Sequence, residues 1–104
     1  MMTDHGLLHL DVLPTPDPPI RGDDVVVVAV TDANGAPVDG LALDAQPWMP
    51  SHGHGTSVMP TVTPQGGGRY RIDHVYLYMA GTWELRLSFS GTESDTATPA
   101  FDIP

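Results

Sequence analysis

Trp83-Glu84-Leu85-Arg86-Leu87-Ser88-Phe89 is the stretch whose reading decides the fold. Apolar and polar side chains alternate along it without a break. That is the period of a β-strand with one face in a core and the other in water. The same period recurs on either side. Leu8, Leu10 and Val12 alternate with His9 and Asp11. Leu41, Leu43 and Ala45 alternate with Ala42 and Asp44, and Tyr70 and Ile72 with Arg69, Arg71 and Asp73. Val25 to Val30 is an unbroken apolar run, as expected of a strand covered on both faces or central in a sandwich. Phe101 and Ile103 suggest a last strand.

Turn signals separate these runs. Asp32-Ala33-Asn34-Gly35 reads as a hairpin turn, with Asn-Gly at the positions that need positive φ. Gly66-Gly67-Gly68 precedes the Tyr70 strand, Ala80-Gly81 precedes the Trp83 strand, and Gly91 comes after it. Pro14-Thr15-Pro16-Asp17-Pro18-Pro19 is a stiff, extended connector, read as a surface linker rather than a peptide-recognition motif. Eleven prolines and eleven glycines disfavour helices, and no window carries apolar residues at helical spacing. The pattern predicts an all-β, immunoglobulin-like antiparallel β-sandwich of seven to eight strands. Residues 1–6 read as a disordered or tag-like N-terminus, and 7–104 as a single domain.

The 104 residues carry a net charge of −9, with no lysine and with Arg21, Arg69, Arg71 and Arg86 as the basic residues. Such a surface repels phosphate backbones and anionic lipid, so neither nucleic acid nor a membrane surface is an expected partner. It attracts cations. There is no cysteine, which excludes a disulfide scaffold, a thiolate zinc finger and a blue-copper centre. No stretch approaches the apolar length of a membrane helix, so direct membrane insertion is not expected. Met1-Met2 is compatible with an initiator added to a trimmed chain.

Trp48-Met49-Pro50-Ser51-His52-Gly53-His54-Gly55 is where chemistry is expected. Two imidazoles lie two residues apart, with thioethers at Met49 and, further on, Met59. Imidazole with thioether suits copper, and the thioether favours Cu(I). If the segment is extended, His52 and His54 point to one face and can share an ion. The competing reading is a tight loop in which Gly53 and Gly55 allow unusual φ and the imidazoles bond to backbone carbonyls. Met49, before Pro50, and Met59, before Pro60, are thioether candidates that can equally be packing residues. Met79 shares a strand side with Val75 and Leu77, which favours the core unless the site lies at the strand end.

Other residues read as structural. Trp48 and Trp83 are packers, with a sulfur–aromatic contact from Met79 expected at Trp83. Tyr70 suits a tyrosine-corner bond to backbone. His74, in phase with Tyr70 and Ile72, reads as partly buried and a second-choice ligand. His9 is expected in solvent, and His5 in a frayed terminus. Catalysis is not expected. Ser51 and His52 are adjacent and lack a supporting acid, so they form no triad. Asp23-Asp24 reads as an acidic turn, and Gly66-Gly67-Gly68 lacks the helix and lysine of a phosphate cradle.

Three blocks, the Trp48–Gly55 segment, Gly68-Arg69-Tyr70 and Val75-Tyr76-Leu77-Tyr78-Met79-Ala80-Gly81-Thr82-Trp83-Glu84-Leu85, resemble in order and spacing the YtkA-like family, which is related to the FixH-like proteins. Asp32-Ala33-Asn34-Gly35-Ala36-Pro37-Val38 fits the same pattern. The resemblance implies an immunoglobulin-like fold and an exported or membrane-tethered bacterial domain, with a removed signal segment. FixH-like relatives are associated with a copper-transporting pump and oxidase assembly. The expectation is therefore an extracytoplasmic module that handles copper through His52, His54 and a sulfur of Met49, Met59 or Met79. The alternative is a metal-free structural domain whose partner is an envelope protein.

Overall fold

The computed structural model describes residues 1–104. Its strands run in the order β1 (His9–Thr15), β2 (Gly22–Thr31), β3 (Ala42–Met49), β4 (His54–Gly55), β5 (Thr61–Gly66), β6 (Arg69–Leu77), β7 (Gly81–Ser90), β8 (Asp95–Ala97) and β9 (Ala100–Ile103). They form two antiparallel sheets, one in the order β1-β2-β6-β5, the other β4-β3-β7-β8 with β9 also on β7. This is the immunoglobulin-like sandwich that the alternation predicts. The strand count rises to nine because β4 is a two-residue pair and because Thr98-Pro99 divides the last run into β8 and β9. Strand β5, Thr-Val-Thr-Pro-Gln-Gly, lacks the alternation that marks the others. It is an edge strand, held by its hairpin to β6.

The core is built from the inward faces. Trp83, Leu85, Leu87 and Phe89 of β7 are all buried, against Val26, Val28 and Val30 of β2 and Tyr70, Ile72, Val75 and Leu77 of β6. The valine run is covered on one face only: its odd-numbered members are half-exposed. Asp23 and Asp24 open β2 rather than forming a turn. Asp24 is buried, with Oδ1 accepting from the Ile20 N–H at 3.0 Å and Oδ2 without a partner. Burial raises its pKa, the Ile20 bond lowers it and Asp23 raises it further.

Two backbone irregularities depart from the expected strand and turn geometry. The β2–β6 register shifts between Asp24 and Val26. On β6 the extra residue is absorbed at His74, whose φ is 61°. The phase therefore changes there. His74 turns to solvent, 3.3 Å from Asp23, and Val75 and Leu77 take the inward positions, so the expected half-burial of His74 does not occur. At Asp32–Gly35 only Gly35 has positive φ, and the Asp32 carboxylate accepts from the Asn34 and Ala36 N–H groups. An aspartate-capped turn replaces the expected Asn-Gly geometry.

Tyr70 makes the backbone bridge expected of it. Its hydroxyl donates to Val38 O at 2.7 Å and accepts from Leu41 N–H at 3.2 Å. This ties the β2–β3 connection, which crosses between the sheets, to β6. Tyr70→Phe is expected to cost about 1–3 kcal/mol, since a buried donor loses its acceptor. Urea unfolding with an unchanged slope and a lowered midpoint is the readout.

Residues 1–6, for which the sequence suggests disorder or a tag, lie along β1 and β8. Thr3 is buried, Met2 bridges to His9, and Asp4 N–H donates to Thr96 O at 2.8 Å. The buried Asp95 carboxylate gathers the His5 N–H at 3.0 Å, the His5 ring at 2.8 Å and the Thr96 N–H at 2.8 Å. Burial alone would raise the Asp95 pKa. Hydrogen bonds from Thr3, Thr96 and His5 outweigh it and hold the carboxyl well below the usual range. A depressed carboxylate pKa stabilises the fold above the unfolded value, about 3.9, and that contribution is lost as pH falls below it. Acid unfolding of Asp95→Asn is therefore expected to show a shallower pH dependence below about pH 4 than wild type.

Candidate functional site

The segment after β3 does not run on as an extended strand. Both the His52 and Gly53 N–H groups donate to Met49 O, at 3.1 and 3.0 Å, and Gly53 has a φ of 64°. The chain turns tightly and returns as β4, where Met49 pairs with His54 and Trp48 with Gly55. Residues directly opposite on antiparallel strands share a face. Met49 and His54 thus point inward at one end of the sandwich, and Trp48 points outward, with the Arg86 guanidinium 4.6 Å from its ring. Gly55 has no room for a side chain, since a Cβ there would lie 2.7 Å from Pro47 O.

The turn after β6 closes this end from the other sheet. Trp83 Nε1–H donates to Met79 O at 3.0 Å and fixes the turn. The Tyr78 ring packs edge-on to Trp83, with centroids 5.5 Å apart, and its hydroxyl lies 3.2 Å from His54 Nδ1 and 3.4 Å from Gly55 O. Gly81, at φ 132°, leaves space that the Met49 methyl fills; a Cβ there would meet it at 2.5 Å.

His54 Nδ1 is 3.1 Å from Gly55 O. A carbonyl at that distance from a bare ring nitrogen would set lone pair against lone pair. In the Nδ1–H tautomer, Nδ1–H donates to Gly55 O, Tyr78 O–H can donate to the same carbonyl, and the lone pair resides on Nε2. A histidine tied through Nδ1–H to a backbone carbonyl is the form that offers Nε2 to a metal. The His52 and His54 ring centroids are 5.5 Å apart. One ion bound by two imidazole nitrogens at about 2.0–2.1 Å holds the centroids roughly 5–6 Å apart. The observed centroid separation lies in that range.

The sulfurs are placed differently. Met49 is fully buried, opposite His54 on the same face. Met79 is half-buried on the edge of the core. Met59 stands in solvent, 70% exposed. No three His, Cys, Asp or Glu side chains come together as a metal-holding group anywhere in the chain. Any ion here would depend on the two imidazoles and whatever sulfur or oxygen joins them. Sequence reasoning missed Tyr78. It falls between the inward Leu77 and Met79 in sequence, and nothing local shows that the sandwich end brings it to His54.

A family model described as YtkA-like matches residues 10–88. Among solved structures the chain is similar to the Lin-41 filamin domain, with a TM-score of 0.60 and 26% identity, over 82% of this chain and 80% of that one. No curated protein matches it.

Proposed function

The chain belongs to the YtkA-like family, and on that premise we propose that it is an extracytoplasmic binding module that handles copper rather than turning over a substrate. The observation that carries this reading is the approach of the His52 and His54 rings to 5.5 Å, with His54 Nδ1 3.1 Å from Gly55 O, an arrangement that the Nδ1–H tautomer would satisfy while presenting Nε2. These two residues would hold the ion. Met49, Met59 or Met79 would add a thioether, and a mixed imidazole–thioether set favours Cu(I) over Zn(II). Met59 is the sulfur most free to move, because a ligand role for Met49 competes with its packing against Gly81. The net charge of −9 supports accumulation of a cation. Placement outside the cytoplasm rests on the expectation that such domains are exported or membrane-tethered.

One observation favours a second reading. His54 is already capped by Gly55 O and Tyr78, as in a loop built for its own rigidity. In that case the domain is metal-free and its partner is an envelope protein. Titration of the purified domain with Cu(I) and Cu(II) against a competing chelator separates the two. Cu(I) binding tighter than micromolar supports the copper reading. No binding at that level supports the metal-free one.

A further inference from the structure

The outer face of the β1-β2-β6-β5 sheet carries an apolar strip open to solvent. Val25, Val27 and Ala29 of β2 are half-exposed along its middle, and Leu13 of β1 beside them is exposed. Residues opposite one another on neighbouring antiparallel strands share a face. The pairings therefore set two rows across the sheet, Asp11–Ala29–Arg69 and Leu13–Val27–Arg71–Thr63. Arg71 is held by Asp73 at 3.0 Å. Asp11 and Arg69 are exposed on either side of Ala29, and neither makes an ion pair within the chain. Two arginines thus balance two aspartates around the strip, whereas the whole chain carries −9. Asp23, at the end of the strip, has the His74 ring 3.3 Å away.

We propose that this face is the interface of a two-fold homodimer, with a second copy of the chain as its occupant. An axis running along β2, between two facing sheets, keeps the rows in step and exchanges the flanks. The β1 strand of one copy then lies over β6 of the other. Asp11 meets the partner's Arg69, and Arg69 meets the partner's Asp11, so one surface is complementary to itself in charge. Val27 and Ala29 meet their own counterparts in the middle, and the apolar stem of Arg71 lies over the partner's Leu13. Aligned sheets cross at about 30°, so they diverge away from the centre and separate the two Asp23 carboxylates. With strands about 4.8 Å apart and a rise of about 3.3 Å per residue, four strands of about eight residues present roughly 500 Å². Two copies bury roughly 1,000 Å², enough for a reversible dimer and too little for an obligate one. The interface uses β1, β2 and β6, neither terminus of the chain, and neither histidine of the copper reading, so it stands independently of that reading.

The test is sedimentation velocity on the full chain at about 100 μM, in about 0.15 M salt, where charge beyond about 8 Å is screened. A reversible dimer is expected. Asp11→Arg alone sets like charges against each other at both flanks, as does Arg69→Asp alone, and each is expected to weaken association by about tenfold or more. An equal mixture of the two variants restores opposite charges at both flanks and is expected to recover the dimer, now as a heterodimer. Val27→Glu leaves all four flanking charges in place and is expected to abolish association by burying a carboxylate at the centre. Circular dichroism establishes which variants fold, and Val27→Glu decides the matter if a charge variant does not. A wild type that stays monomeric, which would leave the face to another protein, would overturn the proposal. So would a dimer indifferent to Val27→Glu, or folded charge variants whose mixture associates no better than either alone.

Discussion

Trp83→Ala is expected to lower stability by about 3–5 kcal/mol, the range for truncating a large buried aromatic. Trp83 is fully enclosed on the inward face of β7, and its loss leaves a cavity that neighbouring side chains on two rigid sheets cannot close. It also removes the Nε1–H bond to Met79 O, so the turn carrying Tyr78 loses its anchor. Typical domain stabilities are about 5–15 kcal/mol, so the variant would retain little margin. A drop in melting temperature of at least about 12 °C is expected for a domain of this size. A loss below about 1 kcal/mol would place the ring outside the core. The variant also reports on the site: amide signals of Tyr78 and His54 should broaden or shift, because they hang from the same turn.

The double change His52→Ala, His54→Ala is expected to abolish measurable Cu(I) binding, a loss of roughly 100-fold or more, as both proposed nitrogen ligands go. Unfolding should move by less than about 1 kcal/mol, because His52 is exposed and His54 only half-buried. Tyr78→Phe separates positioning from ligation. It removes a hydroxyl beside His54 Nδ1 and leaves both imidazoles in place, so a loss of roughly tenfold is expected. Unchanged Cu(I) affinity in the double variant would mean that the ion sits elsewhere. Unchanged affinity in Tyr78→Phe would mean that the Gly55 carbonyl alone fixes the ring.

Local patterns were legible in the sequence because they are local in physics. Side chains on a strand alternate by covalent geometry, so Trp83 to Phe89 declares its buried face without reference to any partner. Tyr70 after Gly68-Arg69 was readable for a similar reason: the motif places a phenol one strand away from a backbone turn. The pairing of His52 with His54 was readable as a candidate because both lie in one short loop. The same alternation failed at His74. Its phase depends on an extra residue in its own strand where it pairs with β2, and a bulge is set by how two strands meet. Strand β5 was invisible because an edge strand with both faces largely in water needs no apolar period.

What the sequence by itself determined is the fold class and most of the inward face, since burial must obey the strand period. The tertiary structure alone decided which distant groups meet. Asp95 collects His5 from ninety residues away, and Tyr78 reaches His54 across the two sheets. It also decided the fate of the sulfurs. Met49, Met59 and Met79 look alike in sequence, yet one is enclosed, one stands in solvent and one rests on the core's edge. The reason is that a thioether has no local conformational signature. Its role depends on the cavity that the two closed sheets happen to leave beside it.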